Sequence, residues 1–134
     1  EMLFSAPFID EVLPTLFEFL GSTDETVLVA HNSPFDLSFL KAASETHEIT
    51  WPDYQTIDTA RLARAVLDRD EVINCKLSTL AQFFGANTSP NHRALDDAKA
   101  TVDVLHGLIE RLAGYNIHNF EEMRNFPSKK SFFL

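Results

Sequence analysis

The stretch Thr26-Val-Leu-Val-Ala-His-Asn-Ser-Pro-Phe-Asp36 decides the fold, because it passes directly from a strand pattern to a helix pattern. Its first five residues form a short, mostly apolar run that includes β-branched side chains, which is typical of a strand buried on both faces in a helix-covered parallel sheet. Ser33-Pro34 suits the N-cap and first position of a helix. His31 and Asn32 therefore follow the C-terminal end of the strand, where open α/β sheets bind ligands.

Working outward from this stretch, the pattern alternates between helices and one further strand. Helical periodicity and cap signals predict helices over residues 8–20, 33–46, 59–67, 77–84 and 93–113. A second strand is predicted over 52–57, and Asp58 is expected to cap the helix after it. The alternation indicates an α/β layer fold. Two strands form a small sheet for this many helices, so we expect further strands before Glu1.

Length and composition favour one compact domain in a reducing compartment. The chain has 134 residues, 45% of them hydrophobic, which suffices for a single core. No apolar run approaches the roughly 20 residues of a membrane helix, and no signal peptide is visible. Cys75 is the single cysteine. It cannot form an internal disulfide, so we expect a cytoplasmic protein that does not contact a membrane.

The net charge is −9, from 11 Lys and Arg against 20 Asp and Glu. This balance argues against a protein that grips long duplex DNA through its backbone, because such binders are usually basic. It allows an enzyme that holds a few nucleotides through metal ions. On charge alone, a solvated acidic surface is the simpler interpretation.

Asp36 is the first candidate ligand, and two interpretations of it stand. Ser33-x-x-Asp36 is a capping-box pattern, and a carboxylate in the first helical turn also favours the helix dipole. In the second interpretation, Asp36 faces a site at the C-terminal end of the preceding strand. The segment alone favours the cap.

The second cluster, His92-Arg-Ala-Leu-Asp-Asp97, lies at the start of the longest predicted helix. Successive helical residues are about 100° apart, which predicts one buried face made of Ala94, Ala98, Val102, Leu105, Ile109 and Leu112. Asp97 then flanks that face, whereas Asp96 points to solvent. His92 is expected in the loop before the helix, and a surface histidine is its simplest interpretation.

Together the two clusters supply two inward carboxylates and a histidine, a combination that suits metal-dependent hydrolysis. Hard oxygen ligands favour Mg²⁺ or Mn²⁺. Two such ions about 3.5–4 Å apart can activate a water and stabilise the leaving oxygen of a phosphodiester. A histidine suits the role of general base near neutral pH.

These residues carry a resemblance to a known family. The pattern N-x-x-F-D-x-x-F-L at 32–40 resembles the second motif of the DnaQ-like exonucleases, and H-x-A-x-x-D at 92–97 resembles their third motif in its DEDDh form. Ile57-Asp58-Thr59 also fits the usual course of this family. The opening E-M-L, and E-V-L-P at 11–14, resemble the proofreading epsilon subunit of bacterial DNA polymerase III. The resemblance covers Glu1 to about Ala113.

The resemblance implies an RNase H-like fold and two-metal hydrolysis of nucleotides from nucleic-acid 3′ ends, with DNA in replication proofreading or repair as the expected substrate. It implies a single-stranded 3′ end as substrate, and a DNA polymerase subunit or a fused repair domain as partner. Residue by residue, it implies metal ligands at Asp36 and Asp97, a general base at His92, and contacts to the terminal nucleotide from His31, Asn32 and Phe35.

One departure from the family is large. The first motif, D-x-E on an opening strand, supplies two of the four carboxylates, and no D-x-E stands in a strand context before His31. We therefore expect those ligands, and the N-terminal strands of the sheet, to precede Glu1. Residues 1–113 would be a partial exonuclease domain, residues 114–134 a tail or linker, and this chain inactive or nearly so.

Two other functions stay open at the level of sequence. The chain could be a non-catalytic module that keeps the exonuclease fold to bind a polymerase or repair partner, which the acidic charge and incomplete site would fit. It could also trim RNA 3′ ends, since discrimination would rest on contacts to the 2′-hydroxyl.

Overall fold

The computed structural model describes residues 9–127, apart from the side chains of residues 9, 10, 33–37 and 39. It is a mixed α/β structure whose described strands, β1 and β2, form a small parallel sheet. In chain order the elements are α1 (Ile9–Leu20), β1 (Val27–Ala30), α2 (Ser33–Thr46), β2 (Gln55–Asp58), α3 (Thr59–Val66), α4 (Leu77–Phe84), α5 (Ala94–Ala113) and α6 (Phe120–Arg124).

The chain divides into two compact units. The first contains residues up to Leu28 together with Ser33–Thr56, and the second contains Val29–Asn32 and everything from Ile57 onward. The division therefore falls within both strands, so that the C-terminal halves of β1 and β2 belong to the second unit.

The first unit is built around α1 and α2, which pack against each other. Leu13 is completely buried. The ring of Phe17 meets Trp51 edge to face, with centroids 5.5 Å apart. The Tyr54 hydroxyl donates to the backbone carbonyl of Gly21 at 3.1 Å, which fixes the end of α1 to the segment before β2.

The second unit has α5 at its centre, packed on α3 and α4. Burying one of its leucines contributes roughly 1.5–3 kcal/mol. Its core is formed by side chains that are at most 2% exposed, among them Leu62, Val66, Leu80, Val104, Leu108 and Leu112.

The face of α5 that is buried differs from the predicted one. Val102 and Ile109 are 49% and 39% exposed, whereas Val104 and Leu108 are completely buried. The reason lies in α4, whose Phe84 ring packs so closely on Gly107 that an added Cβ would lie 2.6 Å from Phe84 Cγ. That approach turns the Val104 and Leu108 side inward. Asp97, seven and eleven residues before them, lies on the same stripe.

Strand β1 is also less buried than its sequence predicts. Its residues are half-buried or exposed, with Val29 36% exposed. The prediction of burial on both faces is therefore wrong for the described structure. Within residues 9–127, the only strand paired with β1 is β2.

Candidate functional site

Asp58 joins the C-terminal ends of the two strands. Its Oδ1 atom accepts hydrogen bonds from the backbone N–H of Asn32 at 2.8 Å and from that of Ala60 at 3.0 Å. The second bond makes Asp58 the N-cap of α3, as its sequence position predicts. The first bond ties the residue after β1 to the residue that ends β2, so one carboxylate organises this edge of the sheet.

His31 holds the same edge from its other side. Its Nε2 lies 2.8 Å from the Cys75 carbonyl oxygen, and its Nδ1 lies 2.9 Å from Thr59 Oγ1. A carbonyl oxygen can only accept, so Nε2 must carry a proton. In the neutral ring Nδ1 then accepts from the hydroxyl of Thr59, a fully buried residue. The ring thus links the end of β1 to α3 and to the segment before α4.

This environment keeps the His31 ring neutral. Burial lowers the pKa of His31, and the charge of Arg64 acts in the same direction, while the Cys75 carbonyl and Asp58 oppose the shift. Burial also raises the pKa of the Cys75 thiol. The His31 ring and the Cys75 thiol are therefore uncharged near neutral pH, and the charges that act on His31 are those of Arg64 and Asp58.

A second polar cluster forms at the start of α5. Asp97 Oδ1 accepts from the backbone N–H of Asn91 at 3.1 Å and from that of His92 at 3.2 Å. His92 is exposed and has a φ of 70°, in the left-handed region that few non-glycine residues adopt. Asp97 therefore fixes the backbone on which the candidate base stands.

Asn91 closes this cluster from the loop side. Its amide Nδ2 donates to Asp96 Oδ2 at 2.8 Å, and its Oδ1 accepts from the backbone N–H of Arg93 at 3.0 Å. The helical position of Asp96 predicted that its side chain points to solvent, but Asp96 is half-buried. The two adjacent acids thus hold the same loop by different groups.

The predicted site residues fall into three sets. His92 and Asp97 are joined through the His92 backbone. His31 and Asn32 follow the end of β1, where the His31 ring is hydrogen-bonded to Thr59 and the Asn32 N–H donates to Asp58. Asp36 and Phe35 lie in α2, but their side chains are outside the described residues. The catalytic, metal-binding and substrate-binding roles of all six stay predictions.

Sequence reasoning missed the parts played by Asn91 and Thr59. Asn91 carried a weak signal, because asparagine before a helix often bonds its own backbone neighbours. Thr59 carried none beyond its place after a cap residue, since its partner His31 is 28 residues away.

Within the described residues, no group of three or more His, Cys, Asp and Glu side chains is placed to hold a metal ion. In that same portion, no helix has the length and apolar character needed to cross a membrane.

The α/β arrangement and its two polar clusters lie in a stretch of sequence that matches a known family. The chain belongs to the exonuclease family of the RNase T type, whose family model, described as Exonuclease, matches residues 1–105. The match includes both strands, the His31–Asp58 edge and the Asn91–Asp97 cluster. It confirms the predicted kinship with DnaQ-like exonucleases.

Individual relatives extend this identification. A protein of Mycobacterium tuberculosis, whose name proposes a bifunctional exonuclease/endonuclease, is 52% identical over 93% of this chain. A PolC-type DNA polymerase III of Caldanaerobacter subterraneus is 37% identical over 92% of it, and one of Clostridium perfringens is 39% identical over 78%. The chain spans only 19%, 8% and 7% of these proteins' own lengths. No solved structure matches the chain.

Proposed function

We propose that this chain carries part of a DEDDh-type 3′→5′ exonuclease of RNase H-like fold, which removes nucleotides from DNA 3′ ends in proofreading or repair. The observation that supports it most is the pairing of Asp97 with the His92 backbone at the start of α5, inside the family-matched region. DNA is the proposed substrate because the names of several relatives are those of a DNA polymerase. Association with a polymerase or a fused repair domain is proposed on the same basis.

In this proposal His92 accepts the proton of the attacking water. The residue is exposed, so its ring is open to solvent and to a nucleic-acid end. Asp97 is half-buried and lies on the same stripe of α5 as Val104 and Leu108. Its Oδ1 fixes the loop, and its carboxylate would supply the negative charge that a divalent cation requires.

His31, Asn32 and Phe35 are assigned to the terminal nucleotide. Both ring nitrogens of His31 are engaged with Thr59 and Cys75. Its contact with a nucleotide would therefore be made by ring carbon atoms. The bond from Asp58 to the Asn32 N–H would hold the adjacent backbone in place during binding.

The divalent ions that the family implies fit this chain in part. Asp97 offers the hard carboxylate oxygen that Mg²⁺ and Mn²⁺ prefer. The described side chains nevertheless include no cluster of three possible ligands. We propose Asp36 and Asp97 as two of the ligands, which leaves the two carboxylates of the family's D-x-E motif to complete the site. When bound, the ions would activate a water and neutralise charge on the phosphate.

It follows that the chain by itself should cleave DNA very slowly or not at all. Two carboxylates hold a pair of divalent cations poorly, since each ion requires about six ligands. The extended form is this chain with a strand that carries the family's D-x-E motif joined ahead of residue 1. We expect it to be more active than the chain alone by at least about a thousandfold, the scale on which electrostatic stabilisation acts in active sites.

The direction and the substrate are tested together. Single-stranded DNA labelled at its 5′ end is incubated with Mn²⁺ and either the chain or the extended form. Stepwise shortening of the labelled strand by the extended form alone supports the proposal. Early release of a labelled mononucleotide would mean attack from the 5′ end and would contradict it. A matched RNA strand distinguishes the alternatives, because faster cleavage of RNA would overturn the DNA assignment.

A further inference from the structure

The loop that carries His92 is exposed, so burial contributes little to holding it. Residues 91–95 are all exposed, and His92 occupies the left-handed region, which is strained for a residue with a side chain. Its conformation must therefore come from hydrogen bonds, and these converge on Asn91.

We infer that Asn91 and Asp96 are positioning residues, a clamp that holds the His92 backbone in its left-handed conformation and so sets where the imidazole stands relative to Asp97. This inference rests on the proposed function, because it takes His92 as the general base. It concerns residues to which no catalytic or binding role has been assigned.

Three bonds build the clamp around one asparagine. The side-chain amide donates to Asp96 Oδ2 at 2.8 Å, the side-chain oxygen accepts from Arg93 N–H at 3.0 Å, and the backbone N–H donates to Asp97 Oδ1 at 3.1 Å. Each bond reaches a different residue on the α5 side of His92. The bond from the Arg93 N–H fixes the peptide that follows His92, and the other two bonds fix Asn91 itself. The N–H of the peptide before His92 donates separately to Asp97.

Asp96 and Asp97 divide this work. Asp97 accepts hydrogen bonds from the backbone N–H groups of the loop, and these bonds form only when the loop backbone already has this conformation. Asp96 holds it through the Asn91 side chain and is the acceptor for the amide donor. Removing either member of the Asn91–Asp96 pair leaves the strained residue held through Asp97, and the loop should then populate other conformations.

The chemistry predicts which step suffers. A displaced general base lowers the rate of the chemical step, because a misplacement of about 1 Å can cost roughly a hundredfold. DNA binding should change little, since neither Asn91 nor Asp96 is assigned to the nucleotide. We therefore expect Asn91→Ala and Asp96→Ala to lower kcat by about tenfold to a hundredfold, with KM changed less than about twofold.

The decisive variant is Asp96→Asn. Its side-chain oxygen can still accept from the Asn91 amide while its negative charge is gone. It should restore most of the kcat that Asp96→Ala loses. Glu110→Ala, which removes an exposed acid from the same helix, is the control for loss of charge alone.

The clamp also has a readout that needs no activity. In a residue with positive φ, the amide and α protons lie unusually close, so His92 should give a strong intraresidue N–H to Hα NOE in the chain itself. That signal should weaken in Asn91→Ala and Asp96→Ala and return in Asp96→Asn, while the thermal midpoint of the fold stays within a few degrees of the wild type.

The outcomes separate this inference from the proposed function. If His92→Ala abolishes cleavage by the extended form while Asn91→Ala leaves kcat and the NOE unchanged, the clamp is wrong and the exonuclease stands. If Asp96→Asn behaves like Asp96→Ala in both readouts, charge rather than the hydrogen bond matters, and the clamp is equally wrong. If His92→Ala has no effect on cleavage, the proposed function itself fails.

Discussion

Asp58 provides the sharpest test of how the strand ends are held. Asp58→Ala removes two bonds at once, the α3 cap to Ala60 N–H and the tie to Asn32 N–H. Loss of an N-cap costs about 1 kcal/mol, and a hydrogen bond to a charged group contributes about 1.5 kcal/mol at the low end, where partly exposed groups belong. We therefore expect a loss of about 2–3 kcal/mol, a large share of the roughly 5–15 kcal/mol that stabilises a typical domain.

Asp58→Asn separates the bonds from the charge. Asparagine is nearly as good a cap as aspartate and keeps an acceptor oxygen, so it should cost less than about 1 kcal/mol. Urea unfolding followed by circular dichroism measures both variants, with Asp70→Ala as an exposed acidic control. A loss below about 1 kcal/mol in Asp58→Ala would refute the reasoning, as would equal losses in the alanine and asparagine variants.

Three further predictions concern the second unit. The pKa of His31 in the folded chain lies below its ordinary value, so the stabilising effect of the neutral ring is complete above about pH 6.5 and is lost as the pH falls toward the folded pKa. Between pH 7.5 and 5.5 the urea midpoint should therefore drop more in the wild type than in His31→Gln. Equal drops would contradict this. Gly107→Ala should destabilise by about 1–3 kcal/mol, because its Cβ would overlap the Phe84 ring; an unchanged or raised thermal midpoint would show that the ring yields. The raised thiol pKa of Cys75 predicts alkylation by iodoacetamide at pH 7.5 that is slower in the folded chain than in urea, and equal rates would exclude a protected thiol.

Much of the local structure is predictable because its signals lie within a few residues. Asp58 caps α3, and α4 runs from Leu77 to Phe84, as its sequence predicts. Gly85 ends α4 with a φ of 68°, a conformation that glycine adopts at little cost. Helix α1 runs from Ile9 to Leu20, through Pro14, within the range that helical periodicity predicts.

The burial of α5 was not predictable from its own residues. The helix carries apolar side chains on two adjacent faces, and which of them is covered depends on α3 and α4. Gly107 was the one residue that indicated the covered face, because only a residue without a side chain allows the Phe84 ring to approach so closely. The periodicity of apolar residues, from which the buried face was predicted, does not take a glycine into account.

The site was predictable in its outline and not in its bonding. Helical periodicity predicted that His92 precedes the helix in a loop, and His92 does lie before α5. The selection of Asp97 rather than Asp96 as a metal ligand stays a prediction. The partners of His31 are 28 and 44 residues away in sequence, beyond any local pattern. Asn91 lacked a motif position altogether, although it carries most of the hydrogen bonds that shape the His92 loop.

The central claim, that Asp97 and His92 perform 3′→5′ hydrolysis of DNA, is tested most directly by cleavage of a 3′-labelled single strand with Mn²⁺. The extended form is compared with its Asp97→Ala, His92→Ala and Glu110→Ala variants. We predict release of labelled mononucleotide that falls by at least about a hundredfold in the first two variants and is unchanged in the third. Cleavage that persists in Asp97→Ala, or full activity in the unextended chain, would contradict the account.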